Sequence, residues 1–170
     1  MKEKSQLREL LEVVVISVGI AAFLITFVIQ AFYIPSRSME PTLEPGDRIL
    51  VNKFIYRFQE PKHEDVIVFK FPLDPRRDFI KRVIAVENDK IEIRDGIVYV
   101  NDKKIDEPYI KESFPGNYGP YEVPAKHLFM LGDNRNNSED SRFWGALPRE
   151  NVVGKAMVIY WPLTRLNLVK

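Results

Sequence analysis

The stretch from Val13 to Phe32, VVVISVGIAAFLITFVIQAF, with its continuation Tyr33-Ile34-Pro35-Ser36-Arg37-Ser38-Met39-Glu40-Pro41-Thr42-Leu43, decides how this chain is organised. Twenty residues without a charge, at about 1.5 Å per helical residue, reach roughly 30 Å, the thickness of a bilayer's hydrocarbon core. A cleaved signal peptide is the competing reading, because Ser36 and Ser38 offer small residues at cleavage-like spacing. The run exceeds the roughly 7–15 residues of a signal h-region, so a retained membrane anchor fits better. Lys2, Lys4 and Arg8 precede the run and Arg37 and Arg48 follow it. Three basic residues against two favour a cytoplasmic N-terminus. Pro35 discourages helix at the residue before it, so the chain turns extended as it leaves the bilayer. Ser36 and Ser38 then stand close to lipid, because six residues from Phe32 span at most about 20 Å. Taken alone, they could equally be turn residues.

Outward from this stretch, the punctuation is that of a β protein. Residues 47–52 after Pro45-Gly46, Asp65 to Phe69, Phe79 to Val86, His127 to Leu131 and Val152 to Trp161 read as strands. Ile91–Arg94 and Ile97–Val100 flank Asp95-Gly96, a dipeptide suited to a tight hairpin. Residues 106–124, rich in Pro and Gly, read as an irregular excursion. The sequence predicts a mostly β protein: a tail over 1–12, a transmembrane helix over 13–32, and an antiparallel sheet or partly closed barrel over 33–170. The 170 residues carry 25 Lys and Arg against 24 Asp and Glu, which argues against a nucleic-acid surface. Cysteine is absent, so thiol catalysis, thiolate metal sites and disulfides are excluded.

Two further stretches carry chemistry. Lys81 lies in Arg77-Asp78-Phe79-Ile80-Lys81-Arg82-Val83, where strand alternation gives it the apolar neighbours Phe79 and Val83. Such a lysine is a candidate for desolvation, which favours the neutral amine; the alternative is a snorkelling lysine with its head in water. Residues 132–145, GDNRNNSEDSRFWG, concentrate carboxylates, amides and arginines. A calcium loop is excluded because Arg135 falls where an EF-hand needs an oxygen ligand. A solvated loop and a buried network supporting a site both remain.

These three stretches, in this order, resemble the boxes of bacterial type I signal peptidases, serine–lysine proteases, in their small single-anchor form. The resemblance covers most of the chain, from the span to about Gly154. It implies that Ser38 is the nucleophile and Lys81 the general base. It implies further that Ser36 joins the Ser38 backbone N–H in an oxyanion hole, and that Ser138 hydrogen-bonds the lysine. Asp140 and Arg142 match a supporting ion pair, with Asp133 and Asn134 in the same box. Phe32, Ile34, Met39, Leu43, Phe79 and Ile80 match apolar pocket walls. Asn88 departs from the pattern, standing where many relatives have Gly. No cofactor or metal is implied.

The chemistry is coherent, since a neutral lysine can replace histidine in activating a serine hydroxyl. His63 and His127 sit in ordinary polar contexts, which disfavours a histidine-based hydrolase. An anchored β-domain that binds partners without catalysis is the alternative function. The reading reached is a membrane enzyme that cuts signal peptides from exported preproteins after small residues at −1 and −3. Its partners are those preproteins and the bilayer, with secretion machinery nearby and no nucleic acid. Its catalytic domain is expected on the extracytoplasmic face of the cell membrane.

Overall fold

The computed structural model describes residues 6–170, so Lys2 and Lys4, which enter the charge bias, lie outside the described residues. Helix α1 runs from Gln6 to Phe23 and continues as a π-helical turn, Leu24–Val28. From Arg8 to Val28 this path has mean hydropathy 2.5 and its most apolar stretch is not buried against the rest of the chain, so it is long and apolar enough to cross a membrane. It stops short of Phe32. Ile29–Tyr33 form strand β1, paired antiparallel with β2 (Arg48–Asn52), with Ile29 opposite Asn52 and Tyr33 opposite Arg48. The end of the apolar run thus joins the sheet, because a partner edge satisfies its backbone where the helix can no longer run on towards Pro35. Lys53 secures the junction, donating from its backbone to Val28 O and from its ammonium to Thr26 O, both at 2.8 Å. Those carbonyls are among the ones a helix leaves unpaired at its C-terminal end.

The chain continues through β3 (Val66–Phe71), β4 (Asp74–Ala85), β5 (Lys90–Arg94), β6 (Ile97–Val100) and β7 (Lys103–Lys104). It then forms β8 (Tyr118–Glu122), β9 (His127–Leu131), β10 (Leu147–Pro148), β11 (Val152–Trp161) and β12 (Asn167–Leu168). A large sheet has the order β1-β2-β11-β3-β4-β9-β10, with β12 added on β11, and a smaller one has the order β7-β6-β5-β8. The pairings are antiparallel, and the large sheet stays open between β1 and β10. The expected hairpin at Asp95-Gly96 is present, with φ +49° and +79°. Asn88 adopts φ +65°, a conformation glycine takes freely and Asn tolerates, so the departure at this position keeps the turn.

Residues 106–124 are not wholly irregular, because β8 pairs with β5, Ile91 opposite Tyr121 and Ile93 opposite Tyr118. Pro120 and Gly119 disguise this strand in the sequence; Pro is tolerated there because β8 is an edge. Strand β4 positions the site. It pairs with β3 along its length but with β9 only through Arg82, Val83 and Ala85. One edge from Asp74 to Lys81 therefore stays free among the described residues. Ile34, Met39, Leu43, Val66, Val68 and Ile80 share one apolar cluster, which fixes the loop after β1 against β3 and β4.

Candidate active site

Ser38 and Lys81 meet across this cluster. Lys81 Nζ lies 2.7 Å from Ser38 Oγ and 2.9 Å from Ile80 O, with the Phe79 ring centroid at 5.3 Å. Lys81 is 4% exposed and Ser38 7%. Burial pulls the Lys81 pKa down to about 8, against the attraction of Asp140, Glu139 and Asp133, which favour the ammonium. The lysine is therefore buried, not snorkelling. Ser36 is an exposed residue, and its Oγ stands 3.3 Å from Ser38 Oγ.

Within residues 132–145, Asp133, Asn134, Arg135, Asp140 and Ser141 are buried and form a network, while Asn136, Asn137, Glu139 and Phe143 are exposed. Asn134 donates from its backbone to Ser38 O and from its side chain to Arg37 O, both at 3.1 Å, and so holds the serine loop. Asp133 accepts from Thr42 Oγ1 at 2.6 Å and from Arg82 Nε and Nη2 at 2.8 and 2.7 Å. One carboxylate thus ties the loop carrying Ser38 to the strand carrying Lys81. Asp140 caps the short helix α2 (Ser141–Trp144) and accepts both Arg142 Nε and the Gly132 N–H, at 2.8 and 3.1 Å. Gly132 must be glycine, because a Cβ there would collide with Ser138 Oγ and the Ser38 carbonyl. Ser138 is thereby placed beside the pair, yet its buried hydroxyl has no hydrogen-bond partner among the described residues. The expected bond from Ser138 to Lys81 is not formed here, because the amine's contacts go to Ser38 and Ile80 instead.

The pair opens on a cleft of about 530 Å³, lined by Phe32, Ile34, Phe79, Ile80, Ser36 and Glu139 among others. Met39 and Leu43 do not line it; at 1% and 0% exposure they point into the core with Ile34 and Ile80. Neither histidine lines the cleft: His63 pairs with Asp89 at 2.7 Å, and His127 Nδ1 with Ala125 O at 2.8 Å. Sequence reading missed Arg82 and Thr42 as supports. An arginine at a strand position between buried apolar residues was the available signal for the first; a threonine in a loop gave none.

A hydroxyl held against a buried amine of lowered pKa, at the edge of an apolar cleft beside an unpaired strand, is an arrangement that serine hydrolases acting on extended peptides require. Comparison with known proteins agrees with that class. The family model described as signal peptidase, peptidase S26, matches residues 7–161. A probable signal peptidase I-2 of Synechocystis is 43% identical over 162 residues, 92% of this chain and 72% of that protein. Signal peptidase I of Leptolyngbya laminosa is 42% identical over 174 residues, 98% of this chain and 85% of that protein. A crystal structure of a signal peptidase I from Enterococcus faecalis superposes with TM-score 0.52 at 27% identity, covering 57% of this chain and 97% of that one. The chain belongs to the signal peptidase family, peptidase S26, and is a serine peptidase that removes signal peptides.

Proposed function

We propose that Ser38 is the nucleophile and Lys81 the general base of this peptidase. The observation that carries the reading is the 2.7 Å contact between Lys81 Nζ and Ser38 Oγ with both groups buried. A neutral amine at that distance takes the hydroxyl proton as Oγ attacks the scissile carbonyl, then delivers it to the departing amine of the mature chain. The acyl-enzyme is hydrolysed by water activated by the same lysine. Ser36 Oγ, beside Ser38 Oγ, and the Ser38 N–H stabilise the oxyanion. Asp133, Asn134, Asp140 and Arg142 hold the pair in register, and Ser138 takes up the lysine during turnover.

The signal peptide binds as an added strand along the free edge of β4, its alternate side chains at −1 and −3 facing the same wall. Phe32, Ile34, Phe79 and Ile80 line that wall, and the side chains the site takes at these positions are Ala, Gly or Ser. The helix through Val28 anchors the protein in the cell membrane, N-terminus in the cytoplasm, with the β-rich domain on the extracytoplasmic face. The site then meets preproteins where they leave the secretion machinery. Purified wild type and Ser38→Ala are incubated with a preprotein and the cut is read by mass. Wild type should cut after small residues at −1 and −3, and Ser38→Ala should not cut; residual cleavage above a few per cent, free of host enzyme, refutes the assignment.

A further inference from the structure

Residues 106–112 leave the small sheet after β7 and lie across the polar layer behind Ser38 and Lys81. This strap touches residues that flank both halves of the pair. The Arg82 guanidinium lies 3.8 Å from the centroid of the Tyr109 ring. Glu107 forms a buried pair with Arg135, whose Nη1 is 3.3 Å from Oε2, and Arg135 Nε donates to Gly132 O at 3.0 Å. Lys111 donates its backbone N–H to Asp133 O at 3.3 Å and its ammonium to Glu40 at 3.1 Å. Glu112 bridges to Asn134 and accepts from Asn136 Nδ2 at 3.0 Å. Arg82 is next to Lys81 in β4, Glu40 is in the Ser38 loop, and Asp133 and Asn134 tie the two together. One segment between strands of the second sheet thus contacts Arg82, Glu40, Asp133 and Asn134, four residues placed around the serine and the lysine.

We propose that this strap is the positioning element of the site, with Tyr109 its principal positioning residue: the ring covers the Arg82–Asp133 pair and so holds β4, and Lys81 with it, against Ser38. The proposal rests on reading Ser38 and Lys81 as nucleophile and base. An aromatic face over a guanidinium is attractive, and by excluding water it also strengthens the ion pair beneath. Without the ring, water enters the layer, the Arg82–Asp133 pair loosens, and Lys81 is better solvated among the carboxylates that face it, Asp133, Glu139 and Asp140. Tyr109 touches neither Ser38 nor the cleft, so substrate binding does not depend on it.

The test uses the full chain in detergent, as wild type, Tyr109→Leu, Tyr109→Phe and Ser38→Ala. Each is assayed across the pH range on a peptide with Ala at −1 and −3, and its unfolding midpoint is recorded. Tyr109→Leu should lower kcat about tenfold with KM within about twofold, and should move the rising limb of kcat/KM to higher pH. Tyr109→Phe, which keeps the ring, should recover most of the lost kcat. A folded Tyr109→Leu that melts earlier but keeps the wild-type kcat and limb overturns the proposal, as does Tyr109→Phe impaired as badly as Tyr109→Leu. If Tyr109→Leu does not fold, Glu107→Gln decides: kcat lowered about threefold with the same displacement supports the strap, and an unchanged profile overturns it. Processing by Ser38→Ala would overturn dyad and strap together. An inactive Ser38→Ala beside an unaffected Tyr109→Leu overturns the strap alone.

Discussion

Lys81 carries a folding cost that pH should expose. Its pKa falls from 10.5 to about 8 on burial, so the folded chain releases this proton near pH 8 and the unfolded chain near 10.5. Between those values the unfolded state holds more protons, and stability rises with pH. Below about pH 8 the cost is present in full, and above the unfolded pKa it has gone. A gap of about 2.5 units, at about 1.4 kcal/mol each, amounts to about 3–4 kcal/mol, of which about 3 is released by the unfolded pKa. Replacing Lys81 by Met keeps the volume and removes the titration. The stability difference between wild type and Lys81→Met should therefore change by about 3 kcal/mol from neutral pH to about pH 10.5, with the other groups cancelling in the difference. At neutral pH the variant also removes the amine from Ser38 Oγ, which keeps only Ser36 Oγ at 3.3 Å, and from Ile80 O. A buried polar group that loses its partner costs about 1–3 kcal/mol, which offsets part of the relief, so the pH slope and not the midpoint at one pH carries the test. The assay is denaturant unfolding of the full chain in detergent at both pH values. Parallel slopes for the two proteins, within about 1 kcal/mol, would refute the desolvation of Lys81 and its fitness as a neutral base.

The wild-type kcat/KM should climb about tenfold per pH unit up to about pH 8 and then level, since only the neutral amine is competent; a flat profile counts against a titrating lysine. Lys81→Arg should be as inactive as Lys81→Ala, because a guanidinium does not deprotonate in this range, whereas His63→Ala and His127→Ala should keep most activity; the opposite pattern in a peptide assay would move the base to a histidine. Ser36→Ala should lower kcat by about 10²-fold with little change in KM, as expected for an oxyanion donor, and a change confined to KM would contradict that role. Arg82→Met leaves the Asp133 side chain, 1% exposed, without its ion partner. It should cost about 3–5 kcal/mol in denaturant unfolding, and a loss below about 1 kcal/mol would remove the pair from the supports of the site.

Much of the fold was legible because the relevant signals are local. His127–Leu131 and Val152–Trp161 are strands as their composition predicts, and Asp95-Gly96 turns a hairpin as its φ preferences require. The misreadings have tertiary causes. Ile29–Phe32 read as helix because apolarity does not distinguish lipid from a β partner, and only the presence of β2 decides it. Tyr118–Glu122 was hidden by Gly119 and Pro120, which an edge strand accepts and a central one does not. At the site, Ser38 and Lys81 were legible through the motifs around them. The family resemblance implied Met39 and Leu43 as pocket walls, but their side chains point into the core. The contacts of Arg82 with Asp133, Glu64 O and Tyr109, and of Glu107 with Arg135, join residues eighteen or more apart, so sequence periodicity does not record them.

The buried charges near the site make sense only together. A buried ion pair is weak support for stability, since desolvation offsets most of its attraction. Here Arg82–Asp133, Arg135–Glu107 and Arg142–Asp140 are all buried within one layer. An apolar layer would hold the sheet as well, but it would slide. Carboxylates with both oxygens engaged do not: Asp133 fixes Thr42 and Arg82 in one geometry, and Asp140 fixes Gly132 against Arg142. The lysine gains from the same arrangement. Its amine is desolvated enough to lose a proton near pH 8, while Asp133, Glu139 and Asp140 keep its pKa from falling further. A base that titrates near its working pH is more effective than one lowered as far as burial alone would take it. The layer therefore sets both the distance between serine and lysine and the basicity of the lysine, and a substitution within it should disturb the two together.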